Sequence, residues 1–375
     1  MIRLIITAWC LLASCIGLAS TVSAASPQAP YDLVLVGGTV FNGDGGAGRV
    51  IDIGLRGDRI AAVGELASAP ALERLDVSGL AVTPGFVDIH SHAVRESERD
   101  SGIFLWPDAE NYIRQGVTSI IGGPDGNSWY PISGLLSRLE AAPAAVNFGT
   151  FVGHNRIRQQ VMQRENRAPD AVELQQMQNL VATAMADGAF GLSSGLKYVP
   201  GTYANTEEVI ALARVAGEYG GIYITHMREE GVGLLDSVEE TIRIADEGGL
   251  PAQVTHHKAM GASMWGRSVD SLAMLDAANA RGLDISSDVY PYSASSTGIK
   301  VLFPAWSLEG DRKERLARLH DPVARERIKA GLVENLRQDR GGNDLSRVVI
   351  AECKWDNSFN GQSLAQILQF LDRSL

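Results

Sequence analysis

Apolar residues recur along the chain in short, evenly spaced runs. Strand-length blocks lie near residues 86–90, 117–121, 147–152, 190–194, 222–226, 252–256 and 283–287, about 30 residues apart, the length of one strand plus one crossover helix. The intervening segments read as helices. Pro169 and Asp170 open 171–187, Asn205 and Thr206 open 207–219, and Ser268 opens 269–281, each start carrying a capping or early acidic residue. Gly188, Gly220, Gly248 and Gly282 stand where four of these helices should stop. Strand–helix units repeated in this way, with polar residues at the strand ends, predict an α/β fold of the TIM-like (β/α) barrel type over a doubly wound sheet. No glycine-rich phosphate fingerprint follows the first strand, which weakens the doubly wound alternative.

The two ends of the chain have a different texture. Residues 31–41 and 52–64 are short β-rich runs separated by turn residues, which predicts a small β-sandwich portion over 25–80 ahead of a barrel over 81–292. After Tyr292 comes an Arg-rich helical stretch at 311–340, an apolar run at 348–351 and an amphipathic helix at 363–375. These read as an insertion subdomain spanning 293–375. Seven barrel strands can be counted where the complete barrel has eight. The barrel is therefore expected to be incomplete, the chain ending before its eighth strand and before strands that would pair with 31–64.

Composition narrows the chemistry. The 375 residues carry a formal net charge of −11 with no basic run, so nucleic acid and anionic membrane surfaces are excluded as natural partners, and a small molecule is expected. Arg3, the apolar stretch 4–18 and Val22-Ser23-Ala24 have the layout of a cleaved signal peptide over 1–24. A secreted, periplasmic protein is expected, with a lipoprotein anchored at Cys15 as the alternative. The apolar run is too short and broken for a stable membrane span. With Cys10 and Cys15 in the leader, Cys353 is the one cysteine left, so any metal must be held by His, Asp, Glu or a modified Lys.

Histidine placement supplies the candidate chemistry. His90 and His92 follow the run Gly85-Phe86-Val87-Asp88-Ile89 at i and i+2, a spacing that puts both imidazoles on one face of an extended chain. His226 in Ile224-Thr225-His226 and His256 in Val254-Thr255-His256 close two later strands. Strand ends of a barrel meet at one rim, so these four imidazoles should converge. His257 should point away from His256 by strand alternation. His154 either lines the site or is structural, and His320 lies in a polar helical stretch.

The motif series His90-Ser91-His92, Gly116-Val117-Thr118-Ser119, Val152-Gly153-His154, Gly191-Leu192-Ser193-Ser194-Gly195-Leu196 with Tyr198 and Pro200, Thr225-His226-Met227-Arg228-Glu229, His256-His257-Lys258 and Asp288-Val289-Tyr290-Pro291-Tyr292 resembles that of the N-acyl-D-amino-acid deacylases, a family of metal-dependent amidohydrolases. The likeness runs from about residue 30 to the end. It implies a barrel with a small β-sandwich, one or two Zn2+ ions, and hydrolysis of the N-acyl bond of an N-acyl-D-amino acid. It also implies His226 and His256 as ligands of a tightly held zinc and His90 and His92 as markers of a neighbouring position. The family commonly has a cysteine where Gly123-Pro124-Asp125-Gly126 stands here. Asp125 either replaces it as an oxygen ligand or merely shapes a Pro-Asp-Gly turn. Lys258 and Tyr290 resemble the family's clamp for the substrate carboxylate. Arg228 is a further candidate unless an ion pair with Glu229 or Glu230 occupies it.

The catalytic residue is not found in this sequence. The resemblance implies a proton-shuttling aspartate at the end of an eighth strand, expected beyond Leu375. Asp288 is the nearest carboxylate, but its motif belongs with the substrate pocket. Two rivals stand beside deacylation. One is cyclic-amide or dipeptide hydrolysis with a carbamylated Lys197; the other is a non-catalytic metal- or ligand-binding remnant.

Overall fold

A computed structural model describes residues 30–94, 102–340, 342 and 344–374 of the protein. The segment 1–24 read as a signal peptide, with Cys10 and Cys15, lies outside the described residues. The chain divides into two compact units after Pro84.

The first unit is built from β1 (Tyr31–Val36), β2 (Thr39–Val40), β3 (Arg49–Val50), β4 (Asp52–Arg56), β5 (Arg59–Gly64), β6 (Ala71–Asp76) and β7 (Ala81–Val82). They form a four-stranded sheet in the order β5-β4-β1-β6 and a smaller sheet β3-β2-β7. Tyr31, Val34, Ile53 and Val77 are its buried apolar residues. The Asp52 carboxylate accepts the backbone N–H groups of Gly37 at 2.9 Å and Leu66 at 2.8 Å, tying two turns to one side chain.

The second unit alternates strands and helices. Its elements are β8 (Phe86–Asp88), α1 (Glu110–Ile113), β9 (Val117–Gly122), α2 (Ile132–Ala141), β10 (Asn147–Thr150), β11 (Val152–Gly153), α3 (His154–Met162), α4 (Ala171–Ala186), β12 (Gly191–Gly195), α5 (Thr206–Glu218), β13 (Ile222–His226), α6 (Leu234–Gly248), β14 (Ala252–Val254), α7 (Ser268–Ala280), β15 (Ile285–Ser287), α8 (Arg312–His320), α9 (Pro322–Asp339) and α10 (Leu364–Ser374). The strands are parallel and ordered as in the chain, β8-β9-β10 in one sheet and β11 to β15 in another. Such ordering brings the C-terminal ends of successive strands to the same side.

Local chemistry explains most helix limits. Asp170 caps α4 in a reciprocal box with Glu173, and Asn205 caps α5 by accepting from Glu208 N. Two of the expected signals shift by one position. Gly248 is the last residue of α6, and Gly249, at φ 67°, is the left-handed cap. Ser268 is the first residue of α7 and makes no capping bond. The Arg-rich stretch is two helices, broken where Asp321 caps α9 and Pro322 occupies its first position. The 348–351 run makes a single bridge, Val349 with Ser363.

A continuous core lies where the helices cover the strands. Val152, Leu192, Tyr223 and Val254 from the strands meet Met177, Val209, Leu212, Val238 and Ile244 from α4, α5 and α6. Each such large side chain contributes about 1.5–3 kcal/mol relative to exposure. That packing fixes the strands whose ends carry the polar residues described next.

Candidate metal centre

The loop after β9 makes a sharp reversal at Gly123-Pro124-Asp125-Gly126. Asp125 has φ 56°, a left-handed conformation uncommon for a residue with a side chain. The loop is pressed against the end of β12: a Cβ on Gly195 would stand 2.2 Å from the Asp125 carbonyl oxygen. Ser193 Oγ accepts from Gly126 N at 3.2 Å and donates to Gly123 O at 2.6 Å. The turn reading of Asp125 is thus met, and the turn also directs the carboxylate toward the histidines.

Four histidines surround that carboxylate. Oδ1 lies 3.6 Å from His90 Nε2, 3.7 Å from His256 Nε2 and 4.0 Å from His226 Nδ1, while Oδ2 lies 3.3 Å from His92 Nε2. Two potential metal-holding groups result, His90–His92–Asp125 and Asp125–His226–His256. His226 is the last residue of β13, whereas His256 lies two residues past β14 with φ 38°. His90 and His92 lie beyond the end of β8, with ring centroids 5.6 Å apart. Backbone strain at Asp125 and His256 is of the kind found where surrounding structure enforces a functional geometry.

Asp125 Oδ1 is buried without a hydrogen-bond donor, although an orphaned carboxylate oxygen costs several kcal/mol in a dry site. A cation among the imidazoles would satisfy it, and nitrogen with carboxylate oxygen is a donor set that zinc accepts. Burial alone would raise the Asp125 pKa, yet the neighbouring His90, His92 and His226 imidazoles hold it well below the usual carboxylate range. His90 is pushed up to about 10: burial opposes the charge, but Asp125 and Asp288 outweigh it. His226 goes the other way, to about 3, because burial dominates.

Outer residues orient the ring. Asp288, just past β15, accepts from His256 N at 2.5 Å and from Gln253 Nε2 at 2.5 Å, and its Oδ2 lies 3.3 Å from His90 Nδ1. Glu230, only 3% exposed, accepts from Lys258 Nζ at 2.5 Å and lies 3.0 Å from His256 Nδ1 and 3.8 Å from His226 Nε2. Burial would raise the Glu230 pKa, but His256, His226 and Lys258 bring it down to about 2. Tyr198 Oη lies 3.2 Å from His226 Nδ1. The motif series included Tyr198 without giving it a role, and Glu230 entered only as a partner for Arg228.

A cavity of about 540 Å³ opens over this group, lined also by Lys258, Tyr290 and Arg340. Lys258 Nζ lies 5.5 Å from the Tyr290 ring centroid. Arg228 does not line the cavity. Its guanidinium pairs with Glu240 at 2.8 Å and donates to the carbonyls of Thr202 and Ala204, so its partner is on α6 and is neither Glu229 nor Glu230.

The other flagged residues are accounted for structurally. His257 is buried against Ser271 Oγ at 2.8 Å. His154 starts α3, fully buried against Glu208 at 2.8 Å. Lys197 is an ion-pairing ammonium, 2.9 Å from Glu229 and 2.6 Å from Asp339. A carbamate there would set a third negative group against two carboxylates. His320 ends α8, and Cys353 is buried, free and outside both metal-holding groups. No helix among the described residues is long and apolar enough to cross a membrane.

Residues 73–328 match the model of the amidohydrolase family. A D-aminoacylase of Alcaligenes xylosoxydans xylosoxydans is 41% identical over 298 residues, covering 73% of this chain and 60% of the relative. An N-acyl-D-glutamate deacylase of the same organism is 36% identical over 300 residues, covering 74% and 59%. Among solved structures, the N-acyl-D-glutamate deacylase of Bordetella bronchiseptica, complexed with zinc and a phosphonate inhibitor, superposes with a TM-score of 0.75 at 30% identity over 92% of this chain and 68% of that one. The chain thus spans about 60% of the length of the curated relatives it matches.

Proposed function

This chain belongs to the amidohydrolase family, in its N-acyl-D-amino-acid deacylase branch, and from that premise we propose that it carries the site for zinc-dependent hydrolysis of the N-acyl bond of N-acyl-D-amino acids. The observation that carries the reading is the buried, donor-less Asp125 Oδ1 ringed by His90, His226 and His256. The chain-ordered parallel strands support a TIM-like (β/α) barrel as the scaffold.

His226 and His256 with one oxygen of Asp125 would hold one ion; His90 and His92, with the same carboxylate, would hold a second. When bound, zinc supplies Lewis acidity toward the scissile carbonyl and toward water. The residues around it do the rest. Glu230 and Asp288 fix the imidazole orientations, as outer carboxylates do for metal-holding histidines. Lys258 and Tyr290 present an ammonium and a phenol to the substrate carboxylate, which places the acyl nitrogen between the clamp and the histidines. Asp288 is a poor candidate for moving the proton to the leaving amine: burial would raise its pKa, but His90 and its hydrogen bonds from His256 and Gln253 lower it, and its oxygens are already engaged.

The rival with a carbamylated Lys197 is disfavoured by the ion pairs of that residue with Glu229 and Asp339. The direct test is calorimetric binding of N-acetyl-D- and N-acetyl-L-amino acids to the zinc-loaded protein, since no described residue is assigned the proton transfer to the leaving amine. Binding of the D series alone is expected; zinc binding with neither series bound would favour the non-catalytic, metal-binding reading.

A further inference from the structure

We propose that Arg340 is a second anion-recognition residue of the cavity, gripping the carboxylate of the substrate together with Lys258. The inference rests on the deacylase reading and adds a specificity residue that comes from the segment following the strands.

Arg340 caps the C-terminus of α9. The loop after β13 holds that helix end closely, since a Cβ on Gly231 would stand 2.5 Å from the Gln338 carbonyl oxygen. The Arg340 side chain is only 10% exposed and lines the cavity beside Lys258 and Tyr290. Its charge is felt by both of them and by Tyr198.

A guanidinium has five N–H donors and no way to lose its charge. Here those donors are poorly used. Nε is buried with no partner, Nη1 reaches Met260 Sδ at 3.4 Å, a weak acceptor, and Nη2 stands 3.3 Å from Asp339 Oδ2. That oxygen is closer to Lys197, at 2.6 Å, so Arg340 is the looser of the two partners. Lys258, by contrast, shares its charge with Glu230 at 2.5 Å. The cavity therefore has one cation already paired with a buried carboxylate and one that is under-used. A planar carboxylate suits the fork of the under-used one.

The test uses N-acetyl-D-alanine, whose carboxylate is its sole anionic group, and the corresponding carboxamide. Both are titrated calorimetrically into the zinc-loaded full chain, so binding is read independently of turnover. Arg340→Met is expected to weaken acid binding about tenfold, the worth of a charge-assisted hydrogen bond, and to leave carboxamide binding unchanged. Equal weakening of both ligands, or of neither, overturns the proposal. Arg340→Lys keeps the ion pair with Asp339 but loses the fork. Should Arg340→Met not fold, a several-fold loss confined to the acid is expected from the lysine variant, and unchanged acid binding overturns the assignment. A wild-type chain that binds zinc but neither ligand overturns the deacylase reading itself.

Discussion

Glu230 and His256 face each other across 3.0 Å, carboxylate oxygen to Nδ1, and the same oxygen takes the Lys258 ammonium at 2.5 Å. One buried carboxylate thus joins a candidate metal ligand to a candidate substrate clamp. Glu230→Gln keeps the shape and removes the charge. It should weaken zinc retention about 10- to 100-fold, as loss of an outer carboxylate partner does. Competition with a chromophoric chelator measures this, and retention equal to wild type would deny Glu230 the orienting role.

Asp125 should matter to both metal positions, because its carboxylate belongs to both potential metal-holding groups. Asp125→Asn is expected to lower the zinc bound per chain and weaken what remains, since a neutral amide is a poorer ligand than a carboxylate. Elemental analysis after dialysis reads the stoichiometry. A variant that still loads like wild type would reduce Asp125 to its turn.

Lys197→Ala should leave zinc content intact and cost stability, roughly 1–3 kcal/mol, because it takes the closer partner from buried Asp339 and leaves only the looser contact with Arg340. Native mass spectrometry of the wild-type chain should show no carbamate adduct. Loss of metal in Lys197→Ala would revive the carbamate-bridged rival.

The first unit offers a pH test free of the metal. Hydrogen bonds from Gly37 and Leu66 depress the Asp52 pKa below its ordinary value. A carboxyl depressed on folding adds stability that is fully present above its unfolded pKa, about 3.9, and that disappears as pH falls through the folded value. The gap in melting temperature between wild type and Asp52→Asn should be present at neutral pH and close in strong acid. A gap that persists unchanged in strong acid would mean that the Asp52 charge is not what stabilises these turns.

The strand–helix alternation was legible because apolar runs and capping residues carry it locally: His226 ends β13 as the Ile224-Thr225-His226 run suggests, and Asp170 and Asn205 cap their helices. Glu230 could not be picked from its neighbour Glu229 by pattern, because only the fold decides which carboxylate enters the ring. Arg228 resembled a site residue, but its partner Glu240 is twelve positions along the chain, a distance no periodicity reveals. Arg340 was hidden for the same reason: it ends an Arg-rich helix and reaches the cavity only through tertiary packing.

The central claim is that the converging histidines hold the metal. Zinc titration of wild type, His226→Ala, His256→Ala and His320→Ala tests it most directly, because His226 and His256 flank Asp125 Oδ1 and His320 ends α8 outside both metal-holding groups. Tight zinc binding should disappear in the first two variants and persist in the third. Equal retention in all three would contradict the account.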